Sequence, residues 1–346
     1  MTLCFANDVD SPPVISKAPA LRYTKAMSEF DLIARYFTRP ERTNPPAVLL
    51  GIGDDCALLA PTSSLQAISS DMLVEGRHFF PHVDPRALGH KTLAVNLSDL
   101  AAIGARPVAF TLAVALPDID SQWLAEFSTG LFALADQFDC ALIGGDTTKG
   151  PRTICITIFG EVAARSALRR DAAQVDDDIW VSGQLGEARA ALAQRRGEIV
   201  LDQSACAAAY RRMDWPTPRV ALGLQLAGLA HAAIDISDGL VGDLQHILLR
   251  SKLGARLLAD AVPIGAALCG LPEAVQRDFC LTGGDDYELC FTAAPGDREQ
   301  VQRAAQTADV VVTRIGQIET TPGLRLYDQC GVRLAPPNTS FDHFAS

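Results

Sequence analysis

Aspartates in this chain recur in short clusters beside glycines, and each cluster follows an apolar segment. An ionised carboxylate beside buried strands is costly unless a cation balances its charge, and few Lys or Arg residues are nearby. Carboxylate oxygens suit Mg²⁺, which usually also keeps water and substrate phosphates as ligands. We therefore predict a site with several magnesium ions for a nucleotide. The clusters are Gly51-Ile-Gly-Asp54-Asp55, Ser70-Asp71, Asn96-Leu-Ser-Asp99, Gly144-Gly-Asp146, Asp235-Ile-Ser-Asp238-Gly239 and Gly283-Gly-Asp-Asp286-Tyr-Glu288.

Turn chemistry is the alternative explanation for any one cluster, since Gly adopts positive φ and Asp caps a following helix. The recurrence of such clusters along one chain favours a binding site instead. Asp99 is the most informative residue, because it lies within an apolar helical segment with Asn96 one turn earlier on the same face. We therefore do not expect Asp99 to be a solvent-exposed surface residue.

The usual phosphate-binding motifs are missing from the sequence. Gly51 and Gly53 lack the third glycine of a dinucleotide fingerprint, because Cys56 stands in its place. No Gly-x₄-Gly-Lys-Ser/Thr loop occurs, and the protein-kinase signatures are absent too. Metal ions must therefore neutralise most of the phosphate charge.

The elements that would position these clusters follow from hydrophobic periodicity. Ser28 begins a helix, and a strand–strand–helix–strand–helix–strand order predicts an α+β fold with mixed sheets rather than a doubly wound parallel sheet. A Pro at the start and a Gly at the end support the helix over 85–104. In the first half we predict strands at 48–50, 66–70, 108–116, 141–143 and 154–163, and helices at 85–104 and 121–138.

A charged segment over 163–178 marks a boundary in the chain. We predict an irregular leader over residues 1–27, an N-terminal domain for metal and nucleotide binding and dimerisation over 28–164, and a C-terminal α/β domain over 165–346. Beyond the boundary we predict strands at 179–182 and 233–236, helices at 187–196, 204–213 and 219–229, and a further helix beginning at Ser237-Asp238.

Composition limits the class of protein. A chain of 346 residues favours two domains, and its formal charge of −11 argues against a nucleic-acid surface. Nine cysteines without Cys-x-x-Cys spacing indicate reduced core residues. No apolar run reaches the roughly 20 residues of a spanning helix, and no secretory signal is evident, so we expect a cytoplasmic protein.

Two basic residues have both a functional and a structural interpretation. His78 follows a predicted strand and could contact a substrate phosphate, although a single His is more often structural. Arg170 could clamp a triphosphate or could be a linker charge at the domain boundary.

Taken together, six strings resemble the thiamine-monophosphate kinase family of the aminoimidazole ribonucleotide synthetase-like superfamily. The resemblance covers nearly the whole chain from Ser28 onward. The strings are Ser28-Glu-Phe-Asp-Leu-Ile-Ala-Arg-Tyr-Phe, Gly51-Ile-Gly-Asp-Asp-Cys-Ala-Leu-Leu, Val95-Asn-Leu-Ser-Asp-Leu-Ala-Ala-Ile-Gly, Leu142-Ile-Gly-Gly-Asp-Thr-Thr, Ala233-Ile-Asp-Ile-Ser-Asp-Gly-Leu and Gly283-Gly-Asp-Asp-Tyr-Glu-Leu-Cys-Phe.

This resemblance implies a PurM-like fold and a cytoplasmic homodimer, paired through its N-terminal domains, that uses ATP and Mg²⁺ to phosphorylate thiamine monophosphate to thiamine diphosphate. The family's magnesium positions fall on Asp55, Ser69, Ser70, Asp71, Asp99, Asp146, Asp235 and Asp238. Its nucleotide contacts fall on Phe138, Gly145, Asp146, Arg170 and Ser237. Its substrate contacts fall on His78, Asp285 and Phe341.

Three residues depart from the family pattern. Met72 stands where Thr is common, and Asp285 stands where the family has Glu. The shorter carboxylate could require a water-mediated contact. Phe138 replaces an aromatic that is often Tyr, which leaves stacking intact.

The implied reaction needs no catalytic base, because the attacking phosphate oxygen is already ionised at neutral pH. Catalysis would consist of in-line positioning and neutralisation of two polyanions. Other ATP-using enzymes of the superfamily are the first alternative: aminoimidazole ribonucleotide synthetase, selenophosphate synthetase and the hydrogenase-maturation type. A non-enzymatic divalent-cation binding protein is the second, although no twelve-residue calcium loop occurs.

Overall fold

The structure is a computed structural model that describes residues 27–335, except 40, 42 and 43. The predicted leader, apart from Met27, and the predicted substrate contact Phe341 lie outside the described residues. Within these ranges, none of the helices combines the length and hydropathy that crossing a bilayer requires.

The described residues form α-helices and strands in both halves of the chain. The helices are α1 (Glu29–Leu32), α2 (Pro85–Ile103), α3 (Ser121–Gln137), α4 (Glu187–Arg195), α5 (Gln203–Asp214), α6 (Val220–Leu226), α7 (Leu240–Ser251), α8 (Glu273–Thr282) and α9 (Arg298–Thr307). The strands are β1 (Val48–Leu50), β2 (Leu58–Leu59), β3 (Leu65–Val74), β4 (Arg106–Leu116), β5 (Ala141–Lys149), β6 (Thr153–Val162), β7 (Asp178–Ser182), β8 (Ala232–Asp235), β9 (Gly254–Leu258), β10 (Leu289–Ala293), β11 (Val312–Glu319) and β12 (Gly323–Tyr327).

A four-stranded sheet in the order β3-β6-β4-β5 forms the first half of the chain. The pairs β3–β6 and β6–β4 are antiparallel and β4–β5 is parallel, which confirms the predicted mixed α+β sheet. Two strands are longer than predicted. Asp71 and Asp146 lie inside β3 and β5 rather than after them, because the backbone pairing continues opposite Ile156 and Ala113.

A six-stranded sheet in the order β12-β9-β11-β7-β10-β8 forms the second half. The pair β12–β9 is parallel and the others are antiparallel. One apolar core includes Leu97 and Phe110 from the first half and Trp180 and Phe291 from the second. The two halves therefore pack directly on each other, and the domain limits proposed from sequence stay a prediction.

Helix α2 lies at the junction of the two halves. Pro85 at its first turn follows the N-cap Asp84, and Gly104 ends it with φ of 72°, as the sequence predicted. Helix α6 approaches it closely, because a Cβ on Gly223 would lie 2.1 Å from the Ala101 carbonyl oxygen. The close packing of α6 on α2 fixes the position of α2 and of the polar side chains that it directs toward both sheets.

Helix α7 begins at Leu240, not at Ser237-Asp238 as predicted. Gly239 has φ of 114°, which is outside the helical region. The backbone N–H groups of Ser237, Asp238 and Gly239 all donate to Asp243 Oδ2 at 3.1 Å. The carboxylate thereby holds residues 237–239 as a loop before the helix.

Candidate phosphate and metal site

Four of the predicted aspartates come together between the two sheets. Asp71 on β3 shares a side-chain hydrogen bond with Asp99 on α2, and it interacts electrostatically with Asp235 and Asp238. Asp235 ends the buried strand β8, and Asp238 lies three residues later in the loop before α7. Elements far apart in sequence thus place their carboxylates around one space.

Two serine hydroxyls orient this group. Ser69 Oγ donates to Asp99 Oδ2, and Ser98 Oγ donates to Asp235 Oδ2 at 2.8 Å. Ser98 was not predicted as a site residue, although it stands inside one of the recognised strings. Its side chain is fully buried, so its hydroxyl contacts the site and not solvent.

Burial and mutual repulsion disfavour the charged forms of these carboxyls. Burial, reinforced by Asp99, raises the pKa of Asp71 and that of Asp235 to about 7. Burial also raises the pKa of Asp99, while the cation Arg170 acts in the opposite direction. Arg170 likewise opposes the rise in the pKa of Asp235. The predicted nucleotide contact Arg170 is therefore close enough to act on this cluster.

The hydrogen bond between Asp71 and Asp99 requires one proton, because two ionised carboxylates have no donor between them. A divalent cation could take the place of that proton and relieve the repulsion. In the described part of the chain, no group of three or more His, Cys, Asp or Glu side chains is arranged to hold a metal ion by itself. The carboxylate and hydroxyl oxygens of the cluster are ligands of the type that suits Mg²⁺, which usually keeps water and phosphate ligands as well.

Asp243 supports the site but was missed in the sequence. Burial raises its pKa to about 7, and Asp235 adds to this shift. Its three backbone contacts hold the loop that carries Ser237 and Asp238. The signal that could have found it is an Asp four residues after Gly239, where a carboxylate accepts bonds from the N–H groups preceding a helix.

Asp146 lies across the sheet from the cluster. Asp146 on β5 pairs with Ala113 on β4. Ala113 pairs with Cys155 on β6, and Cys155 pairs with Met72 on β3, the neighbour of Asp71. Three strand spacings correspond to about 14 Å. Asp55 is exposed in the loop after β1. Among the described residues, no hydrogen bond or ion pair joins Asp55 or Asp146 to the cluster.

Ser70 points to the other face of the sheet. Its Oγ donates to the Ile156 carbonyl oxygen at 3.1 Å and lies 3.0 Å from Thr157 Oγ1. Because neighbouring strand residues face opposite sides, Ser69 and Asp71 share the cluster face while Ser70 does not. The structure thus does not bring Ser70 to the other proposed magnesium ligands.

Phe138 precedes β5, and Gly145 lies at the middle of that strand. Phe138 caps α3, precedes the strand and is half-buried against the core. Gly145 has φ of 147°, and a Cβ there would lie 1.8 Å from the Leu112 carbonyl oxygen. The absence of a side chain is therefore required at Gly145, beside the predicted ligand Asp146.

Two of the three predicted substrate contacts, His78 and Asp285, are described and have defined partners. His78 Nδ1 accepts a hydrogen bond from the Val74 N–H at 3.0 Å. Asp285 forms an ion pair with Lys91, and its N–H donates to the Ser237 carbonyl oxygen at 2.8 Å. Asp285 is thus tied directly to the loop of Asp235 and Asp238. Lys91 was missed, because nothing local in the sequence connects it with a residue 194 positions away.

Without metal, the free energy of unfolding should fall as pH rises from about 4 to about 7. Asp71, Asp235 and Asp243 have an ordinary pKa of 3.8 and a pKa of about 7 in the folded protein. The folded state therefore binds more protons in this window, and stability falls as they are lost. Thermal melting in EDTA should show the decline, and Mg²⁺ should restore stability above pH 7.

Comparison with Asp71→Asn separates this effect from other titrating groups such as His90. The decline between pH 4 and 7 should be shallower in that variant, because one of the shifted carboxyls is gone. Equal slopes in both proteins would contradict the shifted Asp71.

The sequence matches two family models, each described as AIR synthase related protein. The N-terminal domain model matches residues 53–162 and the C-terminal domain model matches residues 174–329. The thiamine-monophosphate kinase of Salmonella typhimurium is 43% identical over 325 residues, covering 93% of this chain and 99% of that protein.

Solved structures agree with these matches. The thiamine-monophosphate kinase of Stenotrophomonas maltophilia K279a has a TM-score of 0.77 and 48% identity, covering 81% of this chain and 91% of that one. AaThiL, complexed with AMPPCP and TMP, has a TM-score of 0.71 and 29% identity, covering 85% and 92%. Escherichia coli HypE, a hydrogenase maturation protein, has a TM-score of 0.72 at 20% identity and covers 90% and 96%, which shows a shared fold alone.

Proposed function

Because the chain belongs to the thiamine-monophosphate kinase family of AIR synthase related proteins, we propose that it transfers a phosphoryl group from ATP to thiamine monophosphate, forming thiamine diphosphate. The observation that carries this proposal is the meeting of the Asp71, Asp99 and Asp235 carboxyls, which β3, α2 and β8 bring together and which Ser69 and Ser98 orient. Such a group suits cations that bridge phosphates. A family member complexed with an ATP analogue and TMP supports the choice of substrates.

The side chains act here by binding and positioning. Asp71, Asp99, Asp235 and Asp238 would hold magnesium, and Arg170 adds a fixed positive charge. When bound, Mg²⁺ supplies charge neutralisation and alignment of the two phosphate-bearing substrates. No residue has to remove a proton, since the acceptor oxygen is ionised at neutral pH. The aspartates are therefore ligands and not general bases.

The remaining family positions complete this proposal. Asp55, Ser69, Ser70 and Asp146 are assigned to magnesium, and Asp146 also to the nucleotide. Gly145 precedes Asp146, and Ser237 lies in the loop between Asp235 and Asp238, so both lie beside proposed metal ligands. The assigned nucleotide contacts are Phe138, Gly145, Asp146, Arg170 and Ser237, and the assigned substrate contacts are His78, Asp285 and Phe341.

We also infer that the working form is a cytoplasmic homodimer. The face of the first sheet opposite α2 carries exposed apolar side chains, with Ile68 60% and Met72 56% exposed. Apolar surface of this kind is typical of a protein interface. A second copy of the same face would cover it.

An acceptor panel tests the proposed function. With ATP and Mg²⁺, the protein should release ADP in the presence of thiamine monophosphate, and thiamine diphosphate should appear by mass spectrometry. Free thiamine and aminoimidazole precursors should give no ADP above background, because they lack the phosphate acceptor at the right position. ADP release only with free thiamine, or only with an aminoimidazole precursor, would overturn the assignment.

A further inference from the structure

The turn over residues 74–79 carries His78, one of the substrate contacts assigned from the family, and it is closed by its own hydrogen bonds. The His78 N–H donates to the Val74 carbonyl oxygen at 2.9 Å, and the Gly76 N–H donates to the Phe79 carbonyl oxygen at 2.8 Å. His78 Nδ1 accepts from the Val74 N–H, so in the neutral ring Nε2 carries the hydrogen. The position of the turn therefore decides where that donor points.

Arg152 holds this turn from the neighbouring connection between β5 and β6. Its Nη1 donates to Glu75 Oε1 at 2.9 Å, and its carbonyl oxygen accepts from the Glu75 N–H at 3.1 Å. The exposed fractions of the two side chains are 16% for Arg152 and 26% for Glu75, so water screens this ion pair less than it screens an exposed pair. Arg152 thus fixes both the side chain and the backbone of Glu75.

An aromatic surface fixes the guanidinium group of Arg152 in turn. Arg152 Cζ lies 4.8 Å from the centroid of the Trp123 ring on α3. A cation over an aromatic face is attracted to it. The Trp123 ring is stacked on the fully buried ring of Phe127, with 4.9 Å between centroids and 11° between planes. Arg152 therefore connects an aromatic pair anchored in the core to the turn that carries His78.

A second Arg–Glu pair lies on the same sheet but far from this turn. Arg106 Nη2 donates to Glu161 Oε2 at 2.7 Å, and the Arg106 side chain is 56% exposed. Glu161 pairs in register with Gln66, which precedes Val74 by eight residues on β3. Eight strand residues span roughly 26 Å. The Arg106 pair has the same chemistry at the other end of β3 and serves as a matched control.

We propose that Arg152 is a positioning residue for thiamine monophosphate, which acts through Glu75 and the turn over 74–79 to hold His78 in place. This inference rests on the proposed function, in which His78 contacts the substrate. The contacts from Trp123 through Arg152 to Glu75 restrict the positions of the His78 ring before the substrate binds. A contact that is already in place costs less conformational entropy on binding. Arg152 itself does not have to touch the substrate.

Steady-state kinetics of Arg152→Met test the proposal. The variant keeps an unbranched side chain but loses the ion pair and the cation–aromatic contact, so KM for thiamine monophosphate should rise about three- to tenfold while KM for ATP stays unchanged. Arg152→Lys keeps the charge and should fall between Arg152→Met and the wild type. Arg106→Met should behave as the wild type. Glu75→Gln removes the other charge of the pair and should also raise KM for thiamine monophosphate, which keeps the test open where Arg152→Met does not fold.

The His78→Ala background separates positioning from a general effect on the fold. There, Arg152→Met should add no further rise of KM for thiamine monophosphate, because the contact that it positions is already gone. Circular dichroism confirms that each variant is folded. A folded Arg152→Met with the wild-type KM, an equal rise of KM for both substrates, or the same added rise in the His78→Ala background would overturn the assignment. Failure of the wild type to release ADP with thiamine monophosphate would instead overturn the proposed function, so the two failures are distinguishable.

Discussion

Replacing Asp71 by Asn is expected to lower turnover by at least about 10²- to 10³-fold, the loss typical when one electrostatic contact to a transition state is removed. Asn keeps the shape of the side chain but cannot hold a cation by charge. Steady-state ADP release with saturating ATP and thiamine monophosphate measures the effect.

The same substitution should leave the fold intact or stabilise the metal-free protein near neutral pH. Burial and the neighbours Asp99 and Asp235 disfavour the charged form of Asp71, so its removal relieves repulsion. Asp118→Asn, an exposed site after β4, is the matched control and should change neither turnover nor stability. Wild-type turnover in Asp71→Asn would contradict its role as a metal ligand.

Glu288→Ala should cost about 3–5 kcal/mol in free energy of unfolding, as expected when one partner of a buried ion pair is removed. Glu288 is fully buried. It accepts hydrogen bonds from Arg212 Nη2 and Arg219 Nε, each at 2.7 Å, and from Ser182 Oγ at 2.5 Å. Removing the carboxylate leaves two largely buried guanidinium groups without their main counter-charge. Urea unfolding with linear extrapolation measures the difference.

Two variants sharpen this test. Glu299→Ala removes a side chain that is 89% exposed and pairs with Arg303 one helical turn away, so it should cost less than about 1 kcal/mol. Glu288→Gln keeps the shape without the charge and should fall between the two. An unfolding free energy for Glu288→Ala equal to that of Glu299→Ala would show that this network contributes little.

Local signals predicted much of the fold. The cap at Ser28, with its reciprocal bonds to Asp31, begins α1 where expected. Pro85 and Gly104 bound α2 because each acts through its own backbone. Strand ends were harder to place, and Asp71 lies inside β3 because pairing with β6, not side-chain polarity, decides where the strand stops.

Contacts between distant parts of the chain could not be predicted in the same way. Glu288 meets Ser182 across 106 positions, and Lys91 meets Asp285 across 194. The first contact depends on the pairing of β10 with β7, and the second depends on how α2 packs against the second half of the chain. Asp99 was recognised because its apolar surroundings are visible in the sequence, whereas Arg152 became relevant only when its contacts with Trp123 and Glu75 were seen.

Calorimetric titration of a non-hydrolysable ATP analogue, in excess Mg²⁺ and in EDTA, tests most directly whether the aspartate cluster binds nucleotide through metal. The wild type should bind the analogue in Mg²⁺ and not in EDTA, because the carboxylates of Asp71, Asp99 and Asp235 repel phosphates unless cations lie between them. Asp71→Asn should bind more weakly in Mg²⁺, and Asp118→Asn should match the wild type. Equal affinity of the wild type in Mg²⁺ and in EDTA would contradict the metal-bridged site.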